Sequence, residues 1–234
     1  MSIETKRFAN KLALVTGASS GIGQAIAQAL TLEGAHVHAV ARSWPNPPTG
    51  WHVHRADLAQ EADLRQLAQL LNDSGAVLDL LIHSAGVYAV GDVADFSMQT
   101  LDHLYQVNVR APFLLTQLLL PSVIQAKGQI VFINSSSGIV SKGGIAGYSA
   151  TKFAIKSIAD ALRAEVNDHG VRVMSVYPGK TASPMQAQAH VAANRAYHPD
   201  QLMQPADVAQ MVLAAVALPA TAEMTDVHIR PMKK

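Results

Sequence analysis

Thr16-Gly17-Ala18-Ser19-Ser20-Gly21-Ile22-Gly23 follows the apolar run Leu12-Ala13-Leu14-Val15 and leads directly into a helix-period segment over residues 22–32. A glycine cluster by itself marks only a turn. Placed between a buried strand and an amphipathic helix, it reads as a phosphate-binding loop. Gly17 permits the sharp turn, Gly21 lets the backbone approach a pyrophosphate, and Gly23 lets the helix pack closely on the strand. The helix then offers free N–H groups and the positive end of its dipole, with Ser19, Ser20 and Ile22 lining the turn.

The rest of the chain repeats this strand-then-helix rhythm. Strand candidates fall at residues 12–16, 36–41, 52–56, 78–83, 129–134, 171–177 and 227–229. Helix-period segments fall at 22–32, 61–71, 100–119, 148–167 and 206–217. Several strands are near-continuous apolar runs, as expected when both faces are buried. The pattern predicts an α/β fold: a doubly wound, Rossmann-like, mostly parallel sheet of about seven strands. No repeat, low-complexity tract or linker divides the 234 residues, so a single domain over 1–234 is expected.

One crossover departs from the rhythm. Between the second and third strands lies Arg42-Ser43-Trp44-Pro45-Asn46-Pro47-Pro48-Thr49-Gly50, which cannot form a regular helix. The crossover is therefore shortened to a loop. The flanking strands carry His36, His38, His52 and His54, each pair at the spacing that shares a face. Two HxH pairs could hold a metal. Without carboxylates beside them, they read better as polar residues tolerated on a face that the missing helix leaves wet, and no metal site is assigned.

Composition narrows the function classes. The chain is 49% hydrophobic and 15% charged, with net charge +1 and no basic block, so nucleic acid and anionic membrane are not expected partners. It has no cysteine, which excludes disulfides and thiolate catalysis. The stretch MSIETKRFANK mixes charges and lacks a signal-peptide core. The longest apolar run, residues 114–124, is interrupted by Thr116, Gln117, Pro121 and Ser122, short of the ~18 residues of a membrane span. A soluble, cytoplasmic protein is the expectation.

Downstream, Gly147-Tyr148-Ser149-Ala150-Thr151-Lys152 puts a tyrosine and a lysine on one helix face. A free tyrosine has a pKa near ~10, and a neighbouring ammonium stabilises its anion. That would draw Tyr148 toward the working range of a general acid/base. The pair alone could equally be an ordinary first helical turn.

The TGxxxGxG spacing together with the YxxxK motif resembles the short-chain dehydrogenase/reductase family, and the resemblance spans nearly the whole chain. Further landmarks stand in the family's order. Asp57-Leu58 follows the third strand, where the family contacts adenine, and His83-Ser84-Ala85-Gly86 occupies its NNAG slot. Asn108 matches the catalytic-helix asparagine, and Ser135 lies 13 positions before Tyr148. Pro178-Gly179 follows the sixth strand, where the family contacts the nicotinamide, with Thr181 and Ser183 as further contacts.

The resemblance implies an oxidoreductase that interconverts a small-molecule carbonyl and an alcohol by hydride transfer. Tyr148 would be the general acid/base. Lys152 would tune it and hold the nicotinamide ribose, Ser135 would bind the substrate oxygen, and Asn108 would hold a relay water. NAD-preferring relatives usually place an acid at the end of the second strand. Here Ala41 stands there, followed by Arg42, whose guanidinium favours a 2′-phosphate. NADP(H) is therefore the expected cofactor, although Ser20 replaces a basic residue that many NADP-dependent relatives carry.

His83 and Ser84 replace the two NNAG asparagines, so His83 is expected to brace the central strand in their place. Residues 185–204, with His190, Arg195, Tyr197 and His198, read as a substrate lid or as a plain surface helix. Tyr88, Val90 and residues 139–145 would shape the pocket. The family also implies a homodimer or homotetramer built on helices 100–119 and 148–167. The rival reading is a nucleotide-binding redox sensor or scaffold without turnover. An epimerase or dehydratase is disfavoured by the short C-terminal region.

Overall fold

The computed structural model describes residues 6–75 and 77–232; the start of the charged N-terminal stretch and the last two lysines lie outside them. Strand β1 (Leu12–Thr16) leads into α1 (Gly21–Leu32), then β2 (His36–Ala41) and β3 (His52–Arg55). Helix α2 (Glu61–Asp73) precedes β4 (Leu80–His83), and α3 (Met98–Tyr105) runs through a π-helical turn, Gln106–Arg110, into α4 (Ala111–Ala126). There follow β5 (Gln129–Ile133), α5 (Ala146–Val166), β6 (Arg172–Pro178), α6 (Pro184–Ala192), α7 (Pro205–Val216) and β7 (Asp226–Ile229).

The seven strands form one sheet in the order β3-β2-β1-β4-β5-β6-β7. Every pairing is parallel, so the expected mostly parallel sheet is parallel throughout. The order reverses between β1 and β4. This opens a crevice at the carboxyl ends of the strands, the usual ligand position in such sheets.

Two apolar layers hold the sheet. On one face Ala13, Val15, Val37, Ala39, Val131 and Val176 pack against α1 and α7. On the other, Leu14, Val40, Leu81, Ile130 and Phe132 pack against α2, α4 and α5. Alternate residues of the inner strands serve opposite layers, which is why those strands read as near-unbroken apolar runs. Asp79, set within one such run, is satisfied at the edge. Its carboxylate accepts from the Leu12 amide at 2.9 Å and pairs with Lys11 at 2.8 Å.

Three expectations need correction. The helix expected over 100–119 starts at Met98 and is interrupted at 106–110, because a π turn carries no distinct hydrophobic period. The run Met98–Ala126 is also long and apolar enough to cross a membrane, with mean hydropathy 1.4, contrary to the estimate from residues 114–124 alone. In the fold, its Leu104, Leu115, Leu119 and Val123 are buried against the protein itself.

The third correction concerns the histidines. The β2–β3 crossover lacks a helix, as expected, but Trp44 and Trp51 cover its place by packing on the α1 layer. The histidines share the face of Val40, which belongs to the opposite layer. Their exposure therefore does not follow from the lost helix. His38 Nδ1 and His54 Nε2 are hydrogen-bonded at 3.0 Å, and the His38 ring stacks on both His52 and His54. Stacked rings do not converge on one point, and among the described residues no three side chains are placed to share a metal.

Candidate active site

The glycine turn is built by contact as much as by flexibility. Gly17 has φ +68°, and a Cβ there would lie 2.7 Å from the Ala85 Cα. A Cβ on Gly23 would lie 2.5 Å from the Gly17 carbonyl oxygen. Gly21, at φ +57°, faces only the Ser183 side chain, 3.3 Å from where its Cβ would be. The first turn of α1 carries no acidic residue, and the Ser20 side chain makes no capping bond. Those amides are left to an anion, so the loop fits a dinucleotide pyrophosphate. Ser19 and Ser20 are exposed and Ile22 is half-buried beside them.

Thr16 ties this turn to the next strand. Its hydroxyl accepts from the Ser84 and Ala85 amides at 3.1 and 3.2 Å, fixing the segment Ser84-Ala85-Gly86 against Gly17. To one side, the Ala18 amide bonds the Val40 carbonyl, so the ends of β2 and β3 flank the turn. Arg42 is exposed there. Asp57 accepts from the Ala59 amide at 3.0 Å, with the half-buried Leu58 between them.

On the other side, Ser135 ends the extension of β5 and Tyr148 lies in the first turn of α5. The Ser135 hydroxyl is near enough to the Tyr148 phenol to favour its anion. Lys152, one turn on, is buried and donates to the Ile133 carbonyl at 3.2 Å. Asn108 sits in the π turn. Its Oδ1 accepts from the Val87 amide at 2.8 Å, and its Nδ2 donates to the Val87 carbonyl and to Thr151 Oγ1. Thr151 in turn donates to the Tyr148 carbonyl at 2.7 Å. The structure thus brings together all four residues of the expected constellation. The Asn108 side-chain amide braces the β4 loop against α5.

Electrostatics also depart from the expectation. Burial pushes the Tyr148 phenol up to about 12, offset in part by the nearby Ser135 hydroxyl. Burial draws the Lys152 ammonium down to about 8. Desolvation outweighs the attraction expected between the two, and the phenol holds its proton firmly at neutral pH.

Of the remaining predicted residues, Ser183 faces Gly21 and Met185 approaches Gly86. Pro178 ends β6, and the Gly179 amide bonds the Ile229 carbonyl. Thr181 is buried, bonds the Gly179 carbonyl, and bridges to Met203, which anchors the base of the expected lid. Ser183 caps α6 by accepting from the Gln186 amide at 3.2 Å, so its hydroxyl is already engaged. Within residues 185–204 the first part is α-helical, and Pro199–Gln201 adds a short 3-10 turn. There His190 bonds the Gln186 carbonyl and rests edge-on against Tyr197, while Arg195 and His198 are exposed. Tyr88 stands edge-to-face with Tyr148, ring centroids 4.9 Å apart. The Gly91 amide bonds the Gly144 carbonyl, which joins the Tyr88–Val90 wall to the 139–145 wall.

His83 braces the sheet as expected. Its Nε2 is 2.9 Å from Thr116 Oγ1, and its ring stacks on Phe132. Sequence reasoning missed Thr16, Thr116 and Thr151, whose hydroxyls hold the site together. It also missed Phe96 and Leu101, which press on Gly147 at the start of α5. Of these, only Thr16 carried a signal, as the threonine immediately before Gly17.

With this geometry established, the comparisons with known proteins agree. The sequence profile of the short chain dehydrogenases matches residues 11–194. An uncharacterised oxidoreductase of Staphylococcus aureus (strain MW2) is 30% identical over 95% of this chain and 98% of its own length. A metagenomic short-chain oxidoreductase solved in complex with NADP is 28% identical, with TM-score 0.82 over 97% of this chain and 100% of that one. An alcohol dehydrogenase from the archaeon Thermococcus sibiricus, complexed with 5-hydroxy-NADP, shares the fold at 19% identity. Its TM-score is 0.85, over 96% of this chain and 97% of that one.

Proposed function

This chain belongs to the short-chain dehydrogenase/reductase family of oxidoreductases, and from that premise we propose that it reduces a small-molecule carbonyl compound, or oxidises the matching alcohol, with NADP(H). The observation that carries this reading is the cluster at the mouth of the glycine turn. A buried Tyr148 stands beside Ser135, with the buried Lys152 one turn along the same helix. The nicotinamide, when bound, supplies or accepts the hydride.

The chain's own residues handle the oxygen and its proton. Ser135 holds the carbonyl oxygen, and the Tyr148 phenol, protonated at neutral pH, delivers a proton as the alkoxide develops. In the oxidative direction the phenol must first ionise. There the Lys152 charge helps by stabilising the tyrosinate. Asn108 and Thr151 hold α5 in register so that Tyr148 and Ser135 meet. The amides of α1 and the turn at Gly21 would hold the pyrophosphate, Asp57 the adenine, and Pro178, Gly179 and Thr181 the carboxamide side.

The preference for NADP(H) over NAD(H) is supported by Arg42 following an uncharged Ala41, and by the NADP complex of the metagenomic relative. A cytoplasmic homo-oligomer, with residues 185–204 as the substrate lid, belongs to the same proposal. A panel of ketones and aldehydes with NADPH, followed at the nicotinamide absorbance, tests it. Turnover that falls ~10²–10⁴-fold in Tyr148→Phe with NADPH affinity retained is the expected result. Tight NADPH binding with no turnover across the panel would instead favour the sensor.

A further inference from the structure

A single exposed arginine is a weak reader of a phosphate, because water and salt screen it. Arg42 has no basic partner at Ser20, but the sheet supplies another. The parallel β2–β3 register pairs Ala41 with Arg55. Paired residues on adjacent parallel strands project from the same face, roughly 5 Å apart. Arg55 thus flanks Ala41, the small uncharged residue at the end of β2.

Its Nε donates to the Arg42 carbonyl at 3.0 Å, which fixes its guanidinium at the end of β2. Arg55 is thus tied to the backbone of Arg42, and both side chains are exposed at the strand ends that flank the glycine turn. Among the described residues, neither Arg42 nor Arg55 is in a salt bridge. The acids closest in sequence do not neutralise them. Asp57 turns onto the Ala59 amide and Asp63 onto the Asp57 amide. The helix-free crossover adds no cover, since Trp44 and Trp51 pack on the α1 layer and leave both arginines exposed. Two exposed arginines at one strand end, neither of them in an ion pair, favour a multivalent anion.

We propose that Arg55, together with Arg42, clamps the 2′-phosphate of NADP(H), taking the place of the basic residue absent at Ser20. The assignment rests on the NADP(H) reading above. NADPH and NADH differ only in this phosphate, so their dissociation constants, measured by fluorescence titration of the full chain without substrate, isolate the contact. Arg55→Gln should weaken NADPH roughly five- to twentyfold and leave NADH within about twofold. Arg55→Lys should fall between the two proteins. The unchanged NADH affinity serves as the check on folding. Equal losses for both cofactors, or no loss for either, overturn the role of Arg55. If the unaltered protein discriminates and only Arg42→Gln abolishes the preference, the NADP(H) reading stands and Arg55 is a bystander. If the unaltered protein does not discriminate, both readings fall together.

Discussion

The ammonium of Lys152 lies 5.7 Å from the centre of the Tyr148 ring, and both side chains are buried. Burial draws the lysine down to about 8, so its charge is held at a cost to folding. Lys152→Met should therefore stabilise the protein at pH 7, by about 1–3 kcal/mol, while removing turnover. Below pH 8 both folded and unfolded chains carry the proton and the cost is constant. Between about 8 and the ordinary lysine value of 10.5 the folded chain releases it first, so the variant's advantage should shrink as pH rises. Denaturant titrations at pH 7 and pH 10 read the difference; an advantage that does not shrink would contradict the assignment.

Tyr88 meets the face or edge of Tyr148 at 74°, close enough to limit what can reach the phenol. Tyr88→Phe keeps the ring and should leave the kinetics near those of the parent. Tyr88→Ala should raise KM for flat apolar ketones about tenfold with a smaller change in kcat. A selective fall in kcat would place Tyr88 in the proton transfer instead.

Two glycines with similar backbones should respond differently to alanine. Gly17 (φ +68°) has the Ala85 backbone 2.7 Å from a would-be Cβ, whereas Gly144 (φ +76°) has open space. Gly144→Ala should cost about 1 kcal/mol from backbone strain alone. Gly17→Ala should cost well over 2 kcal/mol and weaken NADPH binding, because the Ser84–Ala85 segment must shift. Thermal unfolding with and without NADPH separates the two.

Acid should destabilise the fold through His83. Its complete burial beside Thr116 and Phe132 holds it down to about 3, from an ordinary 6.5. A depressed value means that stability is fully present above pH 6.5 and is lost as pH falls toward 3, by roughly 4 kcal/mol if no other group compensated. His38, drawn down to about 4 by burial and its histidine neighbours, adds in the same direction. His83→Asn should flatten the pH dependence of stability over this range, and an unchanged slope would assign the acid sensitivity elsewhere.

Tyr105, Phe113 and Phe153 are 40%, 53% and 43% exposed on α3, α4 and α5. Large apolar side chains clustered on helices are the usual substance of an interface. Phe113→Glu combined with Phe153→Glu should convert the proposed homo-oligomer to monomers by light scattering. A parent protein that is itself monomeric would remove the oligomer from the proposal.

Much of this was legible in the chain. The apolar runs announced buried parallel strands, and the three prolines after Arg42 announced the missing crossover helix. The order from Gly17 through Asn108 and Ser135 to Tyr148 and Lys152 announced the site. What was not legible were contacts between residues far apart in the chain. Thr116 and Thr151 have no local pattern, and each matters only because another element approaches it. The histidines were read on the correct strands but explained by the wrong face, since a spacing of two says which residues share a side and not what lies over it.

The sequence by itself determined most of the elements, the mostly parallel character of the sheet and the identity of the chemical groups, because periodicity, glycine turns and motif spacing are local properties of the chain. Only the tertiary structure decided how those groups behave. Burial sets the phenol of Tyr148 above its free value and the ammonium of Lys152 below it, the π turn aims Asn108 at Val87, and the strand register carries Arg55 to Ala41. Desolvation and register depend on what packs beside a residue, and that is settled only when distant segments meet.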